Sequence, residues 1–521
     1  MTAVRETAPG TPLTLPLLDG ERWWGGASAE GRSMPYPAGY SFDLRDLLGN
    51  QGMPLLLSNR GRWVHSTDTF SFTVGTEELT VTPHSATAVL EYASEFGDLR
   101  GAYRDVLARH YPASGTMPEP LLFTAPQYNL WIETVFEPTQ EKVLAYAERV
   151  LAEGFAPGVI MIDDQWSNDY GNWTFHPGRF PDPAAMVARL HELGFKVMLW
   201  LVPYVTPDSP TARTLNDADL LVADPEARYR AAVGHWWNGW SSALDLLNPE
   251  AVTWLQDQLT RLQSDFGIDG FKFDGGDAEW WRRMGIADPE AYVLAWNRIG
   301  LAWPLNEYRE AWRTAGLPLA QRQQDKYHQW EDRFGIESLI PNALAQAVTG
   351  HAFTCPDMIG GGEFRFVPSD DGDGFDAELF VRYAQIAALF PMMQFSAAPW
   401  RLLSPEHLEI VRQAAALHTA FGAEILAIAE ESAKSGEPIQ RPLEWAYPDQ
   451  GYADVTDQFL IGDTLMVAPV TIQGATTRTV EIPPGTWTAD DTRTYEGPTT
   501  VTVDAPLARL PYFRLTAPAS N

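Results

Sequence analysis

The residues best placed to do chemistry in this chain are carboxylates, and one of them ends the stretch Gly267-Ile-Asp-Gly-Phe-Lys-Phe-Asp-Gly-Gly-Asp277. A short apolar-leaning segment there delivers Asp274 to its carboxyl end, and Gly275 and Gly276 let the backbone turn sharply behind it. On a parallel α/β barrel the carboxyl ends of the strands are where reactions are carried out. The plainer alternative is a rim carboxylate that caps the next helix. Other strand-like segments end in related groups: Asp163-Asp164-Gln165-Trp166, Glu307-Tyr308-Arg309, Arg322-Gln323-Gln324-Asp325, Asp357 before a glycine run, and Gln394 with Ser396. Gathered at one mouth, they would make a site of carboxylates, two arginines and Lys272.

The absent motifs narrow what such a set can do. A catalytic metal would want clustered histidines. The closest pair, His407 and His418, is eleven residues apart (418 − 407), and no strand end carries His-x-His. No metal and no other cofactor is therefore expected. Phosphate handling would want a glycine-rich loop with a lysine, but Gly360-Gly361-Gly362 lacks one and is followed by Glu363. Neither a serine nucleophile elbow nor a cysteine nucleophile is evident. Carboxylate-pair chemistry remains, and glycoside hydrolysis is its best-known use on a barrel.

Such a site needs strands to hold it. Residues 1–115 read as a β-rich module, with short alternating runs at 53–58 and 70–74 between Gly, Asn and Asp turns. The segment 112–120, PASGTMPEP, reads as a linker. From 116 to 421, apolar strands alternate with helical stretches such as 139–153 and 183–193, the pattern of βα units. Eight strands are expected, at 121–125, 159–163, 196–202, 270–274, 304–308, 319–323, 353–356 and 390–395. That number over about 300 residues predicts an α/β fold built on a (β/α)8 TIM barrel with insertions. Residues 422–521 return to strand-and-turn patterning.

Composition bounds the partners. With 45% apolar and 20% charged residues the chain has ample material for a core, and no apolar run reaches 18 residues. The formal charge of −31 argues against nucleic acid or an anionic membrane as a partner. The amino terminus lacks the basic-then-apolar pattern of a secretory signal, and Cys355 is the single cysteine, so a cytoplasmic location is expected. Twenty Trp residues are many for this length, and aromatic faces pack on sugar rings, although core packing claims most tryptophans.

The stretch around Asp274 resembles glycoside hydrolase family 31, and within it the branch containing the myogenesis-regulating glycosidase. The likeness runs from about Trp131 to Pro469, through WWNGWSSALDLLNP, FKFDGGD, EYREAW, the Arg-x-x-Asp at 322–325, GIESLIP, PDMIGG, FPMMQFSAAPWR and QFLIGDTLMVAPV. It implies a retaining α-glycosidase on a (β/α)8 barrel, with a β-sandwich before it and β domains after it.

By that resemblance Asp274 is the nucleophile. Family members set a substrate-binding arginine sixteen positions before the acid/base; Arg309 matches that arginine, and 325 − 309 = 16 points to Asp325. Asp332, in Trp330-Glu331-Asp332, is the alternative acid/base. A retaining pair needs its carboxyl groups about 5–5.5 Å apart, one ionised and one protonated. Lys272 points to the same side of its strand as Asp274 and could hold it anionic, or serve as a structural partner; both roles are compatible. Asp325 would need burial and a neighbouring carboxylate to keep its proton.

Asp163 and Asp164 match the family's sugar-binding acids, and the doublet is also similar to α-galactosidase families, where paired acids grip O4 and O6. Trp237, with Trp236 beside it, is expected to wall the sugar pocket; Arg322, Trp330 and Asp357 are further binding candidates. Where family α-glucosidases carry Arg-x-His after the eighth strand, this chain has Gln394-Phe395-Ser396, as does the branch associated with α-galactosides. Another departure is Asp277, where many relatives have a Gly-Glu.

The expected activity is hydrolysis of terminal α-galactosides in small oligosaccharides or glycosides. The α-glucosidase, α-xylosidase and sulfoquinovosidase activities are alternatives within the family; a non-catalytic carbohydrate-binding protein, and then a metal-dependent barrel hydrolase that insensitivity to chelators would exclude, are the alternatives outside it. Acidic barrels of this kind often form homo-oligomers, and no stretch of the sequence identifies an interface.

Overall fold

The computed structural model describes residues 4–224, 226–227, 230–331, 333–366 and 375–518. Its centre is a curled parallel sheet. Gln127–Asn129, Val159–Ile162, Lys196–Leu201, Gly270–Phe273, Asn306–Tyr308, Gln321–Arg322 and Thr354–Cys355 pair in that order. Gln127–Asn129 also pairs Gln394–Phe395, which in turn pairs Met358–Ile359. The two ends of this nine-strand order are separated in sequence only by Pro356 and Asp357. They are two halves of one stave, broken where Asp357 adopts φ 80°, a conformation that costs a non-glycine residue energy and is retained where the surroundings enforce it. Eight staves thus close a TIM barrel.

Strands with both faces covered read as continuous apolar runs, and Val-Ile-Met-Ile at 159–162 is buried throughout. Helices of the outer ring begin where the sequence supplies caps: Thr139 accepts from Lys142 N, and Asp182 from Ala185 N. One expectation fails. Residues 121–125 are not the first stave; Leu121–Thr124 is a single helical turn, and the first stave is Gln127–Asn129. Pro120 already has helical backbone angles, and Pro126 forces Ala125 into an extended conformation that ends the turn. Leu122 and Phe123 are buried all the same, and a short apolar run does not by itself distinguish strand from buried helix.

Before the barrel lie two antiparallel sheets, one of Leu13–Pro16, Tyr40–Asp43, Phe70–Val74 and Glu78–Pro83, the other centred on Gln51–Ser58 and Trp63–Ser66. The second is extended by the barrel: Ala311–Trp312, just past the fifth stave, pairs in parallel with Gln51 and Gly52. After the barrel the helix Pro405–Ser435 runs unbroken through position 421, from its Ser404 cap to Gly436 in the left-handed conformation. A six-stranded antiparallel sheet follows, with a core of its own around Leu460, Trp487 and Phe513. Among the described residues no helix is long and apolar enough to cross a membrane.

The stave that carries Asp274 begins at a position with no room for a side chain. A Cβ on Gly270 would lie 1.9 Å from the carbonyl oxygen of Leu305 in the neighbouring segment. Gly270→Ala is expected to lower stability by about 1–3 kcal/mol, because backbone must move to admit the methyl group. Urea unfolding measures this; an unchanged midpoint would mean that the two segments separate freely.

Candidate active site

The carboxyl ends of the staves open into a cavity of about 750 Å³. Asp274 stands at its floor, one residue past the fourth stave, and each of its oxygens is held. Oδ1 accepts from Gly275 N at 2.8 Å and from Arg309 Nε at 3.1 Å, and Oδ2 accepts from Trp200 Nε1 at 3.0 Å. Lys272 Nζ lies 3.6 Å from Oδ2, and Arg322 Nη2 lies 4.0 Å from it. Burial alone would push this carboxyl's pKa up, but the charges of Arg309, Lys272 and Arg322, with the Gly275 N–H, hold it far below the usual carboxylate range. The surrounding cations thus favour the anionic form of Asp274.

The cations that do this are themselves anchored. Lys272 donates to Asp163 Oδ2 at 2.8 Å, so it bridges the second and fourth staves; burial lowers its pKa, but Asp163 and Asp274 more than offset that. Arg309 grips Asp277 with two bonds of 2.9 and 3.0 Å and donates to the carbonyl of Gly49 at 3.0 Å. Arg322 is fully buried and donates to Asp325 Oδ1 at 2.7 Å and to Asp357 Oδ1, while its Nε lies 3.2 Å from Glu307 Oε1.

Asp325 lines the same cavity as Asp274 and shares Arg322 with it. The burial expected for Asp325 is absent in the free chain: its side chain is 43% exposed. Asp332 lies outside the described residues.

Asp163 and Asp164 are both buried and both line the cavity. Asp164 accepts from the Tyr170 hydroxyl at 2.9 Å and from Asn238 Nδ2 at 3.1 Å. Burial, then the charge of Asp163, pushes its pKa up to about 7, against the pull of the Tyr170 bond. Trp236 is buried and donates to Ser241 Oγ at 3.0 Å, whereas Trp237 is 43% exposed and stacks on Phe136 at the rim.

Other candidates lie away from the cavity lining. Gln394 is buried in the barrel, donating to Glu307 Oε2 at 2.6 Å and to Gln127 Oε1 at 3.2 Å. Asp357 is buried against Arg322 and accepts from Lys326 N at 2.7 Å; burial raises its pKa to about 7. Trp330 donates to Asp376 Oδ2 at 2.7 Å and steadies a loop. These three, and the fully buried Arg322, can support the site but do not face its cavity.

Several participants escaped the sequence reading. Trp200 sits on the third stave and was reachable by the same strand-end logic that found Asp274. Glu307, expected at the mouth as a strand-end group, is instead fully buried between Arg322 and Gln394, the balancing charge beneath the floor. The loop 45–49, from the sheets before the barrel, forms one wall, and nothing local in its sequence announces that.

Two family models match the chain: the glycosyl hydrolases family 31 TIM-barrel domain over residues 120–302, and the glycosyl hydrolase family 31 C-terminal domain over 436–514. The chain is 33% identical over 410 residues to the myogenesis-regulating glycosidase of Mus musculus, covering 77% of this chain and 56% of that protein. It is 26% identical over 481 residues to an isomaltosyltransferase of Sporosarcina globispora, covering 81% and 42% respectively. It therefore spans about half the length of the curated relatives it matches. Its fold superimposes on a Flavobacterium johnsoniae dextranase solved with glucose, with a TM-score of 0.84 at 19% identity, over 97% of this chain and 66% of that one. With the first half of its barrel and its carboxyl-terminal sheet matched in order, and a relative 33% identical over 77% of the chain, the chain belongs to glycosyl hydrolase family 31.

Proposed function

We propose that the chain is a retaining exo-α-glycosidase acting on terminal α-linked hexose, with α-galactosides of small oligosaccharides or glycosides as the preferred substrates. The observation that carries this is the state of Asp274: a carboxylate held anionic by three cations, with Asp325 on a shared arginine in the same cavity. In the first step Asp274 attacks the anomeric carbon and the glycosidic C–O bond breaks. Asp325 gives its proton to the departing oxygen, and a glycosyl ester forms on Asp274. In the second step Asp325 takes a proton from water, whose oxygen attacks the same carbon and displaces Asp274, so two inversions retain the configuration.

The galactoside preference draws support from Asp163 and Asp164, two adjacent acceptors deep in the cavity, suited to neighbouring sugar hydroxyls. It draws support also from Gln394, which spends its amide on Glu307 and Gln127 and offers no cation where α-glucosidase relatives of this family are expected to carry a histidine. An α-glucosidase or α-xylosidase is the alternative outcome of the same test.

That test is hydrolysis of a panel of 4-nitrophenyl α-glycosides. Wild type should release nitrophenol from the galactoside. Asp274→Ala should fall to background and yield a β-galactosyl azide when azide is added. Asp325→Ala should lose roughly 10²-fold or more, the scale of general acid–base help, and Asp332→Ala should retain activity. A dead Asp332→Ala beside an active Asp325→Ala would move the acid/base to Asp332.

Asp164 generates a pH-dependent expectation. Its pKa is raised from 3.8 to about 7 on folding, so the folded chain keeps a proton that the unfolded chain releases. The stability this contributes is full below pH 4 and is lost as pH rises through 7. Asp164→Asn removes the dependence, so its melting temperature relative to wild type should climb between pH 4 and pH 8, while its KM for the galactoside rises. A constant difference across that range would contradict the raised pKa.

A further inference from the structure

The sheet that pairs with the barrel loop holds a cluster that the barrel chemistry does not use. His65 lies on the strand Trp63–Ser66, and Glu91 is its direct cross-strand partner on Leu90–Ala93. Cross-strand partners project from the same face. The helix Leu99–His110 ends over that face and lays His110 on His65, ring centroids 3.9 Å apart and planes 22° apart. His65 Nδ1 is 4.0 Å from Glu91 Oε1, and His110 Nε2 is 3.3 Å from Glu91 Oε2. One ligand atom from each residue lies within 4.8 Å of the others.

What makes this more than a packed pair is the hydrogen bonding. His65 is 1% exposed, and both its Nδ1 and the Nε2 of His110 are buried without a hydrogen-bond partner. The far nitrogen of His65 is engaged, 3.0 Å from the Tyr111 hydroxyl. Buried polar atoms are seldom left unpaired, and here three Lewis-basic atoms converge on one point. A cation between them would resolve the conflict. Burial lowers the pKa of both imidazoles, with His110 and Arg313 adding to this at His65 and Glu91 opposing it at His110. Neutral imidazole is the form that coordinates metals.

We propose that His65 Nδ1, Glu91 and His110 Nε2 bind a divalent transition metal, with zinc(II) the best match to two imidazoles and a carboxylate. Bonds of about 2.0–2.1 Å in a tetrahedral site put ligand atoms roughly 3.4 Å apart. The cluster must therefore tighten. Glu91 and His110 can supply that movement, since their side chains keep 26% and 20% exposure. The metal's role is structural. Tyr111, held by His65, accepts from Arg313 Nε at 3.4 Å, and Arg313 directly follows the strand Ala311–Trp312 that ties the barrel to this sheet. A metal here would stiffen the seam beside Arg309. The other charged neighbours, Arg109 and Asp105, pair with each other.

The test is cobalt(II) titration of the full-length, chelator-treated protein, read by visible absorption, with zinc(II) added in competition. The expected result is one equivalent of cobalt with the intense bands of a four-coordinate site, displaced by zinc, and a melting temperature raised by zinc. Glu91→Gln and His110→Gln, both at partly exposed side chains, should weaken cobalt binding by more than the roughly 10–100-fold that loss of a mere supporting contact costs, and His407→Gln should leave it unchanged. Glycoside turnover by the folded protein should not respond to chelator. Absence of stoichiometric cobalt bands in folded wild type would overturn the proposal whatever the variants do. Equal affinity in wild type and both variants would overturn it as well. Neither result touches the assignment of Asp274 and Asp325.

Discussion

Arg322 is the interaction on which the barrel mouth depends. A guanidinium with no solvent exposure is tolerable only where carboxylates surround it, and this one is shared by Asp325, Asp357, Glu307 and Asp274. Asp357 can reach it because the seventh stave breaks there, so the strained backbone at φ 80° and the buried ion pair explain each other. Lys272, beside the same Oδ2 of Asp274, and Arg309, on Oδ1, repeat the scheme, each tied to a second acid, Asp163 and Asp277. The result is a floor in which positive charge is rigidly placed before any substrate arrives. Preorganisation of this sort is what stabilises charge in a reaction without reorganising the site.

The sheets before the barrel are part of this floor rather than an ornament on it. Gly49 accepts from Arg309 through its carbonyl, and its lack of a side chain matters, because a Cβ there would come within 2.3 Å of the Arg309 Nη1. Asn50 and Gln324 exchange hydrogen bonds across the seam, and Gln51 donates to the carbonyls of Arg309 and Arg322. Two residues that carry the charge at the site are thus gripped by their own backbone from outside the barrel. The strand Ala311–Trp312 completes the joint, and the histidine cluster lies at its far side.

The chain by itself determined the barrel and most of the floor. Parallel staves are buried on both faces and read as apolar runs, and each hands its terminal polar residue to the mouth, so Asp163, Asp164, Lys272, Asp274, Arg309 and Arg322 were legible from position alone. Local signals failed where several structures suit one sequence. The run at 121–125 is equally apolar as strand or helical turn, and the prolines on either side decided for the turn.

What only the tertiary structure decided were relations between distant residues. Whether Gln394 and Asp357 face the cavity or lie beneath it depends on the break in the seventh stave and on Glu307, none of which has a local signature. His65, Glu91 and His110 are separated by 26 and 19 residues (91 − 65 and 110 − 91), spacings that match no metal motif. They meet because antiparallel register sets two of them side by side and a helix end brings in the third. Periodicity and strand-end position are properties of a segment and can be read along the chain; register between segments and the approach of one sheet to another are set by packing of the whole.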